Sequence, residues 1–343
     1  MAISTSYNVT SVQGARENLT DSVKRVAPET TPCFSSLKHG AAPKALLQEW
    51  VVDSLGEPNI DNSTVDGADL SFNADFSDNI STRVRTGNRL QDMRRAFAVS
   101  RLAEKIDVSG DQNSLYAAAA SKALVLLKND IEGALCSGNI PQTGSSSQGD
   151  KLGGLRHWTD PAATNGVWDT AAKRAFRSVT GSRIDTSSTA LTEQMLVDAL
   201  QKIYEAGGKS VGYTLYAGPT TINSISAFSR ASQAVTATGA SFNVNTPNNV
   251  LSLSVTSYHS DWGRLDLVPT LFIGRGAGSA IDNTARKGGL IIPKDDSVTL
   301  NTVAGMGIGT VELPDIGGGG RRGFAEWCGT VCVKNARALG SII

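Results

Sequence analysis

Two strand-like segments, ALLQEWVVD at residues 45–53 and ISTRVRT at 80–86, are separated by 26 residues of turn formers with few apolar positions and no sustained period. Connections inside compact domains usually run about 4–6 residues, and one this long signals function or disorder. Two limbs of about 15 residues, each rising about 3.3 Å per residue, form a hairpin of up to roughly 50 Å. A compact chain of this length has a radius of gyration of roughly 20 Å. An ordered hairpin therefore overhangs its own domain and must rest on something else.

Charge is segregated along the same stretch. Asp53, Glu57, Asp61, Asp66, Asp69, Asp75 and Asp78 occupy the outgoing limb and tip with no Lys or Arg among them. On the return, Arg83, Arg85, Arg89, Arg94, Arg95 and Arg101 are offset in that interval only by Asp92. Separated blocks of opposite sign suit a head-to-tail contact in which one copy's acidic projection lies over another copy's basic platform. Asp61, Asp66, Asp69 and Asp75, against Arg83, Arg85, Arg89, Arg94 and Arg95, are the candidate intersubunit contacts. The alternative is a solvated acidic loop and a basic strand that never meet.

Residues 112–136, QNSLYAAAASKALVLLKNDIEGALC, carry the longest uninterrupted helical pattern. Spacing at 100° per residue puts Tyr116, Ala119, Ala120, Ala123, Leu126, Leu127, Ile131 and Ala134 on one half of the cylinder, with Lys122, Lys128, Asn129 and Glu132 opposite. Leu124 and Val125 spill past that stripe, which predicts burial on more than one side. Asp111, Asn113 or Ser114 can cap the first turn, and Gly138 and Pro141 mark its end. A second helix is expected from Thr192 to the Gly207 and Gly208 pair, with Leu196, Ala199, Leu200 and Ile203 as its stripe. A strand over 211–217 and a short helix opened by Pro219 follow. Residues 229–249 read as a loop. Leu251, Leu253 and Val255 begin a hairpin that turns at 260–263. In residues 1–44, a short helical stretch around 15–26 precedes APETTPCFSSL, where Pro28 and Pro32 favour extended backbone.

Composition narrows the function. The 343 residues are 40% hydrophobic, enough for a core, and 32 basic residues balance 32 acidic ones, leaving no net field to hold a polyanion or an anionic membrane. The start MAISTSYNVTSVQ lacks the basic start and apolar run of a signal peptide, and no run of about 18 apolar residues exists, so a cytosolic, non-spanning chain is expected. Cys33, Cys136, Cys328 and Cys332 are too few and scattered for a disulfide framework and read as buried thiols. Zinc is not expected: His39, His157 and His259 show no ligand spacing. The GxGxxG match at Gly318–Gly323 precedes a strand rather than a helix, against a dinucleotide site. Asp295 and Asp296 read as a turn, and Arg321 and Arg322 as a solvated loop, the alternative being a pair that faces DNA or a neighbouring subunit. No GxSxG or GxxxxGK[ST] motif occurs. No catalytic residue, cofactor or metal is assigned.

The order PETTPCFSSL, LLQEW, VDGADL, GNRLQDMRRAFAVS, LLKNDIEGAL, GGLRHW, SYHSDWGRLDLVPTLFI and EWCGTVCVKNARALGSI resembles the major capsid proteins of tailed bacteriophages with the Hong Kong ninety-seven type (Johnson) fold. The resemblance implies an α+β fold with an N-terminal arm at 1–44, an extended loop at 45–90, and a peripheral domain with spine helix and insertion at 91–188. An axial domain at 189–275 and return strands completing the peripheral domain at 276–343 follow. It implies a structural, non-enzymatic protein of the virion capsid, assembled in the host cytoplasm into pentamers and hexamers of an icosahedral shell around double-stranded DNA, without sequence-specific binding and without membrane. Scaffold, portal or decoration proteins are further candidate partners. The rival readings are an encapsulin-like compartment shell, a hydrolase with a dispersed active site and an adhesion module.

Overall fold

The elements follow from local chemistry. In a computed structural model, residues 30–54, 60–61, 63, 65–67, 69, 83–106, 114–160, 171–187, 189–207, 212–234, 255–273, 288–314 and 319–343 are described. The helical stretch expected at 15–26, Glu57, Asp75 and Asp78, most of the excursion and the strand start at 251–254 lie outside them. In chain order the elements are α1 (Pro32–Ser36), β1 (Lys38–His39), β2 (Leu47–Val52), β3 (Val84–Arg89), β4 (Gln91–Val99), α2 (Arg101–Lys105), α3 (Leu115–Leu135), α4 (Leu155–Trp158) and α5 (Ala171–Arg174). Then come β5 (Arg183–Ile184), α6 (Glu193–Gly207), β6 (Tyr213–Ala217), α7 (Pro219–Ala234), β7 (Ser257–Ser260), β8 (Gly263–Pro269), β9 (Gly289–Pro293), β10 (Val298–Thr302), β11 (Gly309–Leu313), β12 (Arg321–Val333) and β13 (Gly340–Ile342).

The first sheet is built on β12. One edge of this strand pairs antiparallel with β4 from Arg321 to Gly329. Its other edge takes β11 and then β10, with Phe324 opposite Val311 and Val331 opposite Leu300. The turn between β10 and β11 contains Gly305 at φ +81°, a left-handed conformation that costs a side chain dearly. Helix α3 packs on β4 and β12 and buries Ala123, Leu127, Ile131 and Leu135, one residue per turn. Leu127, Ile131 and Leu135 are fully enclosed, and each contributes roughly 1.5–3 kcal/mol by leaving water. Ser114 is the N-cap, its hydroxyl accepting from the Ala117 N–H at 3.3 Å.

The second sheet runs β5, β13, β9, β6, β8, β7, with β6 parallel to β8 and antiparallel to β9. Helix α6 covers it with Leu196, Ala199, Leu200 and Ile203, the stripe read from the sequence. Thr192 caps this helix, accepting from the Met195 N–H at 3.3 Å. At the start of α7, the Thr221 hydroxyl donates to the Gly288 carbonyl at 3.1 Å and accepts from its N–H at 3.0 Å. Among the described residues no helix is long and apolar enough to cross a membrane.

Several expectations are revised. Pro32–Ser36 is helical rather than extended, because Pro32 sits at the first helical position, where its fixed φ and missing N–H suit a helix. Helix α7 runs 16 residues to Ala234, into the segment expected to be loop. Arg321 and Arg322 belong to β12. The Arg321 guanidinium lies 4.0 Å from the centre of the Tyr116 ring and pairs with Glu104 and Glu312. Strands β9 and β13 join the second sheet while β10, β11 and β12 join the first, so residues after 288 contribute to both sheets. On α3, Leu126 is 42% exposed while Glu132, placed on the polar face, is fully buried.

A buried asparagine joins the return strand to the crossing segment. Asn88 on β3 donates from Nδ2 to the Gly153 and Val331 carbonyls, both at 3.0 Å. Its Oδ1 accepts from the Gly153 N–H at 2.7 Å and the Arg89 N–H at 2.9 Å. The neighbouring Gly154 lies so close to the preceding helix end that an added Cβ would fall 2.2 Å from the Ser137 carbonyl oxygen. Trp158 then reaches the Trp50 ring of β2, 5.6 Å between centroids. The motifs LLQEW, GNRLQDM and GGLRHW are thus one assembled joint. Asn88→Ala strips four hydrogen bonds and leaves buried partners unmet; we expect a loss on the order of 2–3 kcal/mol, read from denaturant unfolding.

His157 in the same joint accepts at Nε2 from Arg177 at 3.1 Å, which requires a neutral ring. Burial, then the Arg177 charge, lowers its pKa from 6.5 to about 4. The folded value lies below the unfolded one, so the unfolded chain takes up a proton first. Stability is held above about pH 6.5 and falls as pH drops toward about 4, by up to about 3 kcal/mol. His157→Gln is expected to flatten that fall in unfolding curves recorded across the window.

Candidate functional site: an exposed acidic segment, a basic strand and a buried carboxylate

The excursion leaves the body on a two-stranded ribbon. Strands β2 and β3 pair antiparallel from Leu47 opposite Arg89 to Val52 opposite Val84, and an ion pair of Arg83 with Asp53 at 2.9 Å closes its end. Beyond it, Asp61, Asp66 and Asp69 are exposed, and so are two apolar side chains, Ile60 at 94% and Val65 at 80%.

The basic block is less unbalanced than its sequence interval implies, because the fold brings carboxylates to it from elsewhere. Arg85 pairs with Glu49 at 3.2 Å and Arg89 with Asp150 at 2.8 Å, while Arg94 takes the interval's own Asp92 at 2.8 Å. Arg95 makes a two-pronged pair with Asp130 of α3 at 2.5 and 2.7 Å, which pushes its own pKa up. Arg85 remains 71% exposed at its side chain. Exposed pairs of this kind contribute about 0–1 kcal/mol and can be exchanged for others. Among the described residues, the structure therefore separates the predicted ones into exposed Asp61, Asp66 and Asp69 and arginines that hold partners inside the protomer.

A second site was illegible in the helical wheel. The Glu132 carboxylate lies inside the protein and caps α1 from outside it: Oε1 accepts from the Cys33 N–H at 2.9 Å and Oε2 from the Phe34 N–H at 2.7 Å. The Thr270 hydroxyl just beyond β8 donates to Oε1 at 3.5 Å. Burial pushes the carboxyl pKa up, against these donors, which pull it down. Cys33 and Cys136, 103 positions apart, meet here; a hydrogen bond between the thiols, then burial, raises Cys33 well above the ordinary thiol range. Among the described residues, Cys33, Glu132 and Cys136 form the group able to ligate a metal, their donor atoms all within 4.8 Å of one another. Ser36 of α1 also hydrogen-bonds the Tyr216 hydroxyl of β6, whose pKa burial raises to about 12. The segment 31–37 is therefore wedged between α3 and the second sheet. The available signal was the i, i+4 spacing of Glu132 and Cys136, which places an acid and a thiol on one face.

Helix α3 laid over the first sheet, the helix-covered second sheet and the β2–β3 ribbon from which the excursion leaves define a Hong Kong ninety-seven type capsid fold. The capsid of cyanophage A-1(L) superposes with a TM-score of 0.63 at 10% identity, covering 98% of this chain and 97% of that one. The capsid of an empty GTA particle gives 0.60 at 12% identity, covering 98% and 99%. The SrpI encapsulin of Synechococcus elongatus PCC 7942 gives 0.53 at 12%, covering 95% and 91%. No curated protein sequence matches. The family model for the SU10 major capsid protein matches residues 3–342, and the chain belongs to that family. It is a major capsid protein, and membership implies a structural role in a virion capsid.

Removing the buried cap has a local readout. In Glu132→Ala, the Cys33 and Phe34 amides lose their acceptors, and their hydrogen exchange is expected to rise at least about tenfold. Unchanged protection there would mean that α1 is held by packing alone.

Proposed function

We propose that the chain assembles through its finger into pentamers and hexamers of an icosahedral shell that encloses double-stranded DNA. The observation that carries this is the pair of apolar side chains, Ile60 and Val65, standing almost fully exposed among Asp61, Asp66 and Asp69. Large apolar groups left in water beside like charges gain most by docking on another surface, and the acids set where they dock. The acceptor is a neighbouring copy's basic strand, with Arg83, Arg85, Arg89, Arg94 and Arg95 exchanging part of their internal pairing for the incoming Asp61, Asp66, Asp69 and Asp75. Exposed Leu102 and Ile106 beside this strand, and Val311 and Leu313 on β11, add apolar area for it.

In this reading residues 1–44 form an arm, 45–90 the extended loop, 91–188 and 276–343 the peripheral domain and 189–275 the axial domain. Assembly takes place in the host cytoplasm, with scaffold, portal or decoration proteins as further partners, and no catalysis is involved. A compartment shell is the second reading, favoured by the encapsulin likeness; nucleic acid rather than packaged enzyme inside purified particles separates the two.

Recombinant protein is expected to form megadalton closed particles in light scattering and electron micrographs. The triple variant Asp61→Lys, Asp66→Lys, Asp69→Lys should stay soluble and lose at least about tenfold in particle yield. Normal particles from it remove the electrostatic part of the proposal, and a stable monomer of the wild type removes the shell itself.

A further inference from the structure

We propose that Cys33, Glu132 and Cys136 bind a structural zinc ion that clamps segment 31–37 to the end of α3. Three donors within 4.8 Å of one another lie no more than about 2.8 Å from a common centre, close to zinc bond lengths of about 2.3 Å to sulfur and 2.0–2.2 Å to carboxylate oxygen. A small inward movement of the three side chains closes the set. Glu132 and Cys136 stand one helical turn apart on one face of α3, and Cys33 is delivered by the first turn of α1.

The chemistry selects the ion. Two thiols favour a soft or borderline cation, and the carboxylate together with a largely enclosed setting suits zinc rather than calcium or magnesium, which demand six or more oxygens. On binding, each thiol gives its proton to solvent and its sulfur takes up a bond to the metal, with no change of oxidation state. The two thiolates and the carboxylate then carry one negative charge more than the ion. The Cys33 and Phe34 N–H groups already point at the Glu132 oxygens and offset that excess. A carboxylate oxygen that accepts one N–H keeps a lone pair for a metal. The Thr270 hydroxyl, 3.5 Å from Oε1, adds a third donor to the carboxylate.

The bland account, two inert thiols beside a capping carboxylate, explains the N–H bonds. What points beyond it to a metal is the convergence of three ligand atoms, all from fully buried residues, within 4.8 Å. Because the site is sealed, the ion is captured as segment 31–37 docks, so its affinity becomes part of the stability of that docking.

The test is metal content per chain of the full-length protein, measured by mass spectrometry after growth with zinc and dialysis, whether or not particles form. About one zinc per chain is expected, falling at least about tenfold in Cys33→Ser and in Cys136→Ser and unchanged in Cys332→Ser. Cobalt taken up in place of zinc should give a thiolate charge-transfer band in wild type. Should the serine variants fail to fold, the wild-type stoichiometry and the cobalt band decide alone. Fewer than about one zinc per ten chains, no cobalt band, or a disulfide between Cys33 and Cys136 in a non-reducing peptide map overturns the proposal. Shell formation is a separate readout, so its failure is not confused with this one.

Discussion

Backbone hydrogen bonding along both edges of β12 is the constraint that the first half of the architecture obeys. A thirteen-residue strand buried in the middle of a sheet must find partners for every peptide group, because an unmet buried N–H or carbonyl costs about 1–3 kcal/mol. It finds most of them in β4 on one side and in β11 and β10 on the other, with the Met306 carbonyl taking the Cys328 N–H and Asn88 Nδ2 donating to the Val331 carbonyl. Those partners come from opposite ends of the chain, so β12 cannot be completed until the N-terminal third and the C-terminal tail have met. Helix α3 then has a surface to lie on, and its four aliphatic turns fill the space between.

The second dependency is electrostatic. A carboxylate without water is tolerated only where donors surround it, and Glu132 obtains them from a five-residue helix 99 positions earlier in the chain. Because Thr270 and Tyr216 reach the same place, one buried charge organises the contact of the leading segment, the long helix and the second sheet. A hydrophobic residue at 132 would still pack, but the Cys33 and Phe34 amides would lose their acceptors, leaving the Ser36–Tyr216 bond and the buried Cys33 and Leu37 to hold residues 31–37.

What the sequence disclosed divides along physical lines. Helix α6 was read nearly to the residue, because a capping threonine, a strict apolar stripe and a terminal glycine act within the segment itself. Strand β2 and the β7–β8 hairpin were likewise local. Helix α3 was located well but turned: its alanine-rich first half presents almost the same surface all round, so the wheel could not say that Leu126 faces outward and Glu132 inward. Pro32 was misread because a proline opening a helix and one in extended chain differ only in what satisfies the following amides. The charge blocks at 53–78 and 83–101 were visible as counts. Their internal partners Glu49, Asp130 and Asp150 were not, since pairing across sheets and helices carries no sequence spacing.

The path of residues 31–37 has a mechanical corollary. The leading segment does not lie along the rim of the molecule but threads into its middle, where Leu37 and Cys33 join the same apolar cluster as Leu127, Ile131 and Trp327. Tension on the first thirty residues is therefore delivered to the interior of the protomer, against the last turns of α3, rather than peeled off an outer face one bond at a time. Loads met that way are shared by many contacts at once, and the tether yields late and abruptly.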